Sequence, residues 1–419
     1  MTDTTASANF ADLGLIPTLL DRLNELEYHQ PTPIQAQAIP SILQGRDLIA
    51  GANTGSGKTA TFALPMLQQL YTENQTAHPS DTRGGKGNYV TSLILVPTRE
   101  LARQVADNIK TYSWRFRDSV KTVSVFGGVS VNSQMLALRG GADVLVATPG
   151  RLLDLISSNA VKLDRVKTLV LDEADRMLSL GFTEELNKLL ALVPKEKQTL
   201  LFSATFPEKV QSLTQELLND PVEIQLQSAD TSTLVQRVFS VNKGEKTAVL
   251  AHLIKENQWR QALIFVNAKN SCNHLAQKLS KRGIAAEVFH GDKAQGARTR
   301  VLDGFKSGEI QVLIATDIAA RGLDIEKLPV VINFDLPRSP ADYMHRIGRS
   351  GRAGEVGLGL SLIDFDDYHH FKVIEKKNKI RLDREQVAGF EVNEDFSEEY
   401  FAPMKPRAKP EGTGKKKNR

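Results

Sequence analysis

The feature that most constrains the fold of this chain is a recurring pattern in which a short apolar, β-branched run precedes a helical pattern. The runs lie at 47–50, 92–96, 122–126, 143–147, 168–171 and 199–202 in the first half, and at 262–266, 286–289, 311–315 and 330–334 in the second. Their apolar residues are continuous rather than alternating, which is typical of strands that are buried on both faces. The sequence therefore predicts an α/β protein with parallel sheets.

The length of the chain predicts two domains, because 419 residues exceed what one hydrophobic core usually organises. The polar stretch QLQSADTSTL at 225–234 separates the two groups of apolar runs and is interpreted as the linker. We predict a first domain at 1–226, a linker at 227–233, a second domain at 234–383 and a C-terminal extension at 384–419.

Several features argue against a secreted or membrane protein. Cys272 is the one cysteine, so no intramolecular disulfide is possible and a reducing compartment is indicated. The N-terminal MTDTTASANF lacks the basic and apolar regions of a secretory signal, and no apolar run reaches the ~18 residues of a membrane span. We predict a cytoplasmic protein without membrane contact.

Charge is distributed unevenly along the chain. Residues 404–419 contain seven basic residues and one acidic residue, a net charge of +6, so residues 1–403 carry −2 of the total +4. The sequence therefore predicts a disordered basic tail suited to phosphate backbones, and any nucleic-acid site in the body must be local. A solvated tail that serves solubility alone is the alternative.

The stretch ANTGSGKT at 52–59 follows an apolar run and precedes a helical pattern, as a phosphate-binding loop does. Its glycines let backbone N–H groups point at phosphate oxygens, its lysine reaches the β- and γ-phosphates, and its threonine offers a hydroxyl to Mg²⁺. The candidate nucleotide ligands are Ala52, Asn53, Thr54, Gly55, Ser56, Gly57, Lys58 and Thr59. A second lysine–threonine pair, in KGEKT at 243–247, lacks this glycine spacing and is interpreted as surface.

An acidic strand end completes the predicted nucleotide site. In VLDEAD at 170–175 the run TLVL delivers Asp172 and Glu173 at its carboxyl end, where open α/β sheets bind ligands. Asp172 is predicted to orient Mg²⁺ together with Thr59, and Glu173 is placed to activate the attacking water. A charged helix start is the alternative interpretation of the acidic pair.

Together with these motifs, the order of several others gives the chain its resemblance to the DEAD-box RNA helicases of superfamily 2. The matching stretches are PTPIQ (31–35), ANTGSGKT (52–59), PTRELA (97–102), Gly127-Gly128, TPGR (148–151), DEAD (172–175), SAT (203–205), ATDIAARGLD (315–324) and HRIGRSGR (345–352). The match covers roughly residues 10–375, and the sequence as a whole is similar to those of bacterial members of the RhlE type. Asn53 and Glu27 depart from the usual pattern without removing a group that the chemistry needs.

The resemblance implies two tandem RecA-like domains joined by a short linker, with ATP and Mg²⁺ as cofactors. It also implies that Arg349 and Arg352 of the second domain are arginine fingers and that Asp324 accepts a hydrogen bond from the ribose. By the same resemblance, the residues that couple hydrolysis to strand separation are Asp175, Ser203, Ala204, Thr205 and His345.

The resemblance further implies a track for RNA. Its candidate residues are Thr98, Arg99, Gly128, Thr148, Gly150 and Arg151 in the first domain and Thr316 and Gly322 in the second. They offer hydroxyls, guanidinium groups and backbone N–H groups, which suit phosphate oxygens rather than base edges. Little sequence selectivity is therefore expected, and the preference for RNA over DNA rests on the resemblance.

Thr32, Pro33 and Gln35 form the start of a predicted helix, with threonine as its cap and proline at its first position. Gln35 could close a capping box. Its amide also matches the N6–H₂ donor and N7 acceptor of adenine, whereas guanine would be mismatched. We interpret Gln35 as an adenine ligand and not as part of the cap, with Phe10 and Tyr28 covering the base.

Three functions remain open on this sequence. The first is an ATP-dependent RNA helicase that unwinds duplexes locally or remodels RNA–protein complexes. The second is an ATP-gated RNA clamp or annealing factor, and the third, disfavoured by the motif set, is a DNA translocase. Ribosomal or RNA-decay complexes are possible settings, and a monomer is expected.

Overall fold

The computed structural model describes residues 9–52, 56–76, 87–225, 234–320, 328–340, 342–351 and 356–393. They fold into two compact units, each built on a seven-stranded sheet of parallel strands. Residues 290–303 and 318–320, from the second half of the chain, group with the first unit. No helix in these ranges is long and apolar enough to span a bilayer.

The first sheet has the strand order β3-β4-β2-β5-β6-β1-β7. Its strands are β1 (Leu48–Gly51), β2 (Val90–Leu95), β3 (Thr122–Val125), β4 (Ala142–Ala147), β5 (Thr168–Leu171), β6 (Gln198–Ser203) and β7 (Val222–Gln225). The accompanying helices are α1 (Pro17–Glu25), α2 (Pro33–Leu43), α3 (Lys58–Thr76), α4 (Arg99–Tyr112), α5 (Val131–Ala137), α6 (Pro149–Ser157), α7 (Ala174–Ser179), α8 (Thr183–Leu190) and α9 (Glu208–Leu217). Two separate apolar clusters form its core, one with α1 to α4 and the other with α6 to α9.

The second sheet has the order β10-β11-β9-β12-β13-β8-β14. Its strands are β8 (Leu234–Ser240), β9 (Ala262–Val266), β10 (Ala286–Phe289), β11 (Val312–Thr316), β12 (Val330–Asn333), β13 (Gly357–Ile363) and β14 (Arg384–Glu385). The helices of this half are α10 (Lys246–Asn257), α11 (Lys269–Ser280), α12 (Gln295–Lys306), α13 (Asp317–Ala320), α14 (Asp342–Ile347) and α15 (Tyr368–Asn378). Short 3-10 helices lie at Phe10–Leu13, Trp114–Ser119 and Phe365–Asp367.

The two sheets share one topology, since adding seven to every strand number of the first order gives the second. Each strand–helix connection of the first unit therefore has a counterpart in the second. Because all strands of a sheet run parallel, their carboxyl ends meet at a single edge, where such sheets bind ligands. That edge positions the candidate functional residues of each unit.

All ten predicted apolar runs form strands, and β5 and β9 are buried at every position, as continuous apolarity predicts. The strands that sequence patterns did not predict are β7, β8, β13 and β14. Edge strand β7 has one buried residue, β13 contains two glycines, and β14 has two residues. Such strands are short or interrupted, so they lack the run of apolar residues on which the pattern depends.

The predicted end of the second domain at residue 383 is corrected by the structure. β14 pairs with β8, and Val387 is buried in the core of the second unit. Asn393 donates its backbone N–H to Asn242 Oδ1 at 2.8 Å. The folded unit therefore continues at least to Asn393. The sequence did not predict this, because the segment is highly charged and β14 is held by backbone pairing rather than by a run of apolar side chains. The predicted linker, 227–233, and the basic tail, 404–419, lie outside the described residues.

Candidate functional site

The turn between β1 and α3 is fastened to the start of α2. Thr32 Oγ1 donates to Ser56 O at 2.8 Å, and Gln35 Nε2 donates to Gly57 O at 3.1 Å. Gly57 has a φ of +90°, and a Cβ at this position would lie 2.5 Å from Gln35 Nε2. Only glycine fits such a close approach with a left-handed backbone. Ala52, at the end of β1, donates its N–H to Ser203 O at 3.0 Å.

Gln35 also caps α2, so the interpretation that this glutamine takes no part in the cap is wrong. Its Oε1 accepts from Thr32 N at 2.9 Å and closes a capping box. An amide has two acceptor positions and two N–H donors, and these contacts use one of each. The remaining pair matches N6–H₂ and N7 of adenine, so capping and base recognition are compatible.

The two predicted aromatic residues have different surroundings. Phe10 is buried in the core of the first unit, at 3% exposure. Tyr28 is 38% exposed and packs edge-on against Tyr112, with ring centroids 6.2 Å apart. Of the two, Tyr28 offers an open aromatic surface.

A pair of substitutions separates the two tasks of Gln35. Thr32→Ala removes the capping hydroxyl and is expected to cost about 1 kcal/mol of stability while the preference for ATP over GTP persists. Gln35→Ala should cost a similar amount of stability. It should also reduce the preference for ATP about tenfold or more, because the side-chain amide that recognises adenine is lost. Competition of ATP and GTP against a labelled nucleotide, combined with thermal unfolding, measures both. Equal loss of preference in the two variants would contradict base recognition by Gln35.

Lys58 and Asp172 face one another at the carboxyl edge of the first sheet. Lys58 Nζ lies 3.8 Å from Asp172 Oδ1, and both side chains are almost fully buried. Burial raises the pKa of Asp172 to about 6, Lys58 opposes this shift, and the carboxylates of Glu173 and Asp175 add to it. A cation beside Asp172 would therefore favour its ionised form.

The surroundings of Asp172 fit a hard divalent cation. Asp172 Oδ1 is buried and accepts no hydrogen bond from the residues that the structure describes. Such an oxygen is costly unless something binds it, and carboxylate and hydroxyl oxygens are what Mg²⁺ prefers. Thr59, in the first turn of α3, is the hydroxyl residue that follows Lys58. The two predicted metal ligands thus fit Mg²⁺ in chemical type.

Glu173 has an unusual backbone conformation that sequence analysis did not predict. It precedes α7 with φ 55° and ψ 52°, the left-handed region, where a non-glycine residue is strained. Its Oε2 accepts from Arg176 Nη1 at 2.7 Å, and both side chains are largely buried. The strain and the ion pair together fix the carboxylate, as a positioned base requires.

Three of the five predicted coupling residues form one hydrogen-bonded network in the first unit. Asp175 Oδ2 accepts from Thr205 N at 3.0 Å and from Thr205 Oγ1 at 2.7 Å. Ser203 Oγ accepts from Asp175 N at 3.3 Å and donates to Thr205 O at 2.6 Å. Ala204 lies between them. The end of β6 is thus tied to the acidic turn after β5 and, through Ser203 O and Ala52 N, to the nucleotide turn.

The predicted RNA residues of the first unit come together at the same edge, at the ends of the neighbouring strands β2, β3 and β4. Gly128 has a φ of +80°, and a Cβ there would lie 1.9 Å from Arg99 Nη1. Arg151 Nη1 donates to Val129 O at 3.0 Å. Thr98 caps α4, Thr148 precedes α6, and Gly150 lies in the first turn of α6.

Gln134 is a positioning residue that sequence analysis missed. This buried side chain donates to Phe126 O at 2.9 Å and accepts from Phe126 N at 3.2 Å. The two bonds hold the strand end that leads into Gly127 and Gly128. A glutamine inside a helical pattern gives no sequence signal for such a contact.

Arg346 of the second unit is a buried anchor, at 2% exposure. Its Nε and Nη2 donate to the two oxygens of Asp317, each at 2.6 Å. Nη1 donates to Asn333 Oδ1 and Asp335 O, and Nη2 also donates to Asn267 Oδ1. All five N–H donors of the guanidinium group are thus used within the unit.

The other predicted residues of the second unit are placed separately. Arg349 follows α14 and is 6% exposed, whereas the His345 side chain is 43% exposed and lies 3.7 Å from Asp342. Thr316 ends β11. The predicted residues that lie outside the described part of the chain are Asn53, Thr54, Gly55, Gly322, Asp324 and Arg352.

The lysine–threonine pair of the second unit occupies the place that corresponds to the nucleotide turn. α10 begins at Lys246 after β8, as α3 begins at Lys58 after β1. Lys246 Nζ lies 3.3 Å from Asp364 and also pairs with Asp367, and its side chain is 13% exposed. The prediction that KGEKT is surface is therefore wrong for Lys246, although Lys243 is 72% exposed. The two aspartates balance the charge of Lys246, so this lysine does not need a phosphate as its partner.

These two lysines should differ in their effect on stability. Lys246→Met leaves two partly buried carboxylates without their cation and is expected to destabilise the second unit by about 2–4 kcal/mol. Lys243→Met removes an exposed pair and should change stability by less than about 1 kcal/mol. Urea unfolding of both variants provides the comparison. Equal stability of the two would show that the aspartate pairs contribute nothing.

Comparisons with known proteins agree with this geometry. A model of the DEAD/DEAH box helicase family matches residues 32–213, and a model of the helicase conserved C-terminal domain matches 245–354. ATP-dependent RNA helicase CshA of Listeria monocytogenes is 39% identical over 375 residues, which cover 89% of this chain and 69% of that protein. ATP-dependent RNA helicase DeaD of Escherichia coli is 39% identical over 385 residues, covering 91% of this chain and 59% of that protein.

Solved structures show the same likeness. Saccharomyces cerevisiae Dbp5 bound to RNA and ADP BeF3 matches with a TM-score of 0.75 and 31% identity, over 90% of this chain and 95% of that one. Mss116p bound to ssRNA and AMP-PNP matches with a TM-score of 0.79 and 28% identity, over 92% of this chain and 80% of that one. The predicted pair of RecA-like parallel-sheet domains is confirmed.

Proposed function

This chain belongs to the DEAD-box family of ATP-dependent RNA helicases, and we propose that it binds RNA backbone and uses ATP to unwind short duplexes or remodel RNA–protein complexes. The observation that most supports this proposal is the network of Asp175, Ser203 and Thr205. It links the acidic turn to the nucleotide turn through Ala52. A change at the nucleotide can thus be transmitted to β6 through the hydrogen bond between Ala52 N and Ser203 O.

The nucleotide is held by the first unit. Gln35 reads the adenine, Tyr28 covers it, and the turn from Ala52 to Thr59 with Lys58 binds the phosphates. Thr59 and Asp172 would hold the Mg²⁺ that accompanies ATP, where the ion neutralises phosphate charge. Asp324 is assigned to the ribose by the family pattern.

Hydrolysis depends on one base and three positive groups. Glu173 takes a proton from the attacking water, since its carboxylate is fixed by Arg176 at the end of β5. Lys58, Arg349 and Arg352 stabilise the charge that develops on the γ-phosphate. His345 joins Asp175, Ser203, Ala204 and Thr205 as a coupling residue by the family pattern.

RNA is bound through its backbone. The first-unit residues cluster at three neighbouring strand ends, and they offer hydroxyl, guanidinium and backbone N–H groups. These groups suit phosphate oxygens and give little sequence selectivity. Thr316 and Gly322 are assigned to the same track from the second half of the chain.

The domain division proposed for this activity is 1–226 for nucleotide binding, 227–233 for the linker and 234 onward for the second helicase domain, followed by the basic tail. We place the protein in the cytoplasm as a monomer, with ribosomal or RNA-decay complexes as its setting and the RhlE type as its subgroup. An ATP-gated clamp or annealing factor would use the same motifs.

The experiment that tests this proposal compares nucleic acids and nucleotides. RNA is expected to stimulate ATP turnover more strongly than DNA of the same sequence, and strand displacement should require ATP. Displacement by a non-hydrolysable analogue alone, without recycling, would favour the clamp. Stronger stimulation by DNA would contradict the RNA assignment and favour a translocase.

A further inference from the structure

A cluster of basic side chains lies at the edge of the first sheet where the strands begin, opposite the edge that carries the nucleotide residues. Its members, which we call the amino-edge patch, are Lys121, Arg139, Lys162, Arg165 and Lys167. Lys121 directly precedes β3, and Lys167 directly precedes β5. The proposed ATP and RNA chemistry uses none of these residues.

Backbone hydrogen bonds bring these segments together around the start of β2. Ala142 N donates to Tyr89 O at 2.9 Å, and Lys162 N donates to Asn88 O at 2.8 Å. Lys121 Nζ donates to Arg139 O at 2.7 Å. The patch is therefore one surface and not a set of scattered charges.

Two of the cations lie on the same aromatic ring. The Arg165 guanidinium is 3.7 Å from the centroid of Tyr89, and Lys162 Nζ is 5.7 Å from it. The guanidinium thus lies over the ring, and Arg165 as a whole is an exposed residue. Arginine planes of this kind stack on nucleic-acid bases.

The cations of the patch are only partly neutralised. Lys167 pairs with Glu73 at 2.9 Å. Arg139, Lys162 and Arg165 have no carboxylate within ion-pair distance among the residues that the structure describes. The acids on the contacting segments are Glu73, Asp143 and Asp164, so five positive charges face three negative ones.

This local surplus stands out, because residues 1–403 carry a net charge of −2. The exposed cations contribute little to folding, since exposed charges are usually worth less than about 1 kcal/mol. Parallel sheets bind their nucleotides at the other edge. Arg139 and Lys162, beside an arginine that lies over an aromatic ring, instead match a polyanion with planar groups, which is the chemistry of a nucleic acid.

We propose that the amino-edge patch binds the phosphate backbone of an RNA segment outside the strand that the helicase motifs hold, such as the duplex or flanking part of a structured RNA. This inference rests on the proposed function. β3, β4, β2 and β5 are neighbours, so their starts form a row of about 14 Å at roughly 4.8 Å per strand. A backbone crossing that row meets cations at both ends, Lys121 at β3 and Lys167 at β5.

The test uses the full chain with two exposed cations neutralised, Lys162→Gln and Arg165→Gln. The matched control is Lys255→Gln with Lys281→Gln, which neutralises two exposed lysines near helix ends of the second unit. Affinity is measured over a range of salt for a short single-stranded RNA and for a hairpin with a single-stranded extension. ATP turnover stimulated by the short strand reports separately on the proposed function.

The patch variant should bind the hairpin about three- to tenfold more weakly than wild type, with its salt slope reduced by about 1.5 for two lost contacts. Its affinity for the short strand and its stimulated turnover should match wild type, and the control should match wild type on both RNAs.

Unchanged hairpin affinity, or equal weakening in the control, would overturn the proposal. Polyglutamate binding is measured in parallel, and its loss in the patch variant with intact hairpin binding would overturn the proposal and assign the patch to an acidic protein. Absence of stimulation in wild type would count against the proposed function alone.

Discussion

Replacement of Glu173 by glutamine is expected to lower RNA-stimulated ATP turnover by a factor of about 10²–10⁴, the usual contribution of a general base. Nucleotide binding should persist, because Lys58 and the turn before α3 are unchanged. Steady-state turnover and equilibrium binding of a labelled nucleotide measure the two effects independently.

Glutamine is the appropriate replacement because it has the shape of glutamate. Its amide oxygen can still accept from Arg176, which contacts Glu173 Oε2 at 2.7 Å. The left-handed backbone at this position, φ 55°, is set by the turn and remains equally strained in both forms. The variant therefore removes the base while it retains the local structure.

Glu184→Gln is the matched control, since Glu184 is an exposed acid in the first turn of α8 in the same unit. Its turnover should equal that of wild type. Turnover of Glu173→Gln within a few-fold of wild type, with nucleotide binding intact, would show that another group activates the water.

The sequence predicted the parts of this site that depend on local order. Gly57, Lys58 and Asp172 follow strands in a motif, so their placement at one sheet edge follows from parallel topology. The ten apolar runs predicted ten strands because a continuous apolar run is also a local feature of the sequence.

The contacts that depend on tertiary structure were not predictable. Gln134 holds the turn before Gly127 from another element, and the four partner residues of Arg346 lie between residue 267 and residue 335. The capping contact of Gln35 was missed, because a pattern shows that an amide can cap a helix or read a base but not that its unused hydrogen-bonding positions allow both. β14 was missed since a two-residue strand is defined by its partner.

The second large effect is expected for two arginines of HRIGRSGR, Arg346 and Arg349. Replacement of Arg346 should reduce stability, whereas replacement of Arg349 should reduce ATP turnover. Arg346→Met leaves the partly buried Asp317 without its cation and removes five hydrogen bonds. We expect a loss of about 3–5 kcal/mol in the stability of the second unit. Urea unfolding measures it, with Arg338→Met, an exposed arginine of the same unit, as the control that should stay within about 0.5 kcal/mol of wild type.

Arg349→Ala should instead leave stability within about 1–2 kcal/mol of wild type and lower ATP turnover by about 10³–10⁵, the range for an arginine finger. Nucleotide binding should survive, since the ligands of the first unit are intact. Arg349→Lys is the charge-matched comparison, and a planar guanidinium is needed if lysine fails to restore turnover. If Arg349→Ala unfolded the unit as Arg346→Met does, or turned over ATP at the wild-type rate, the assignment of Arg349 to the transition state would be wrong. The contrast matters because Arg346 uses all five of its N–H donors inside its own unit, which is the pattern of a structural residue.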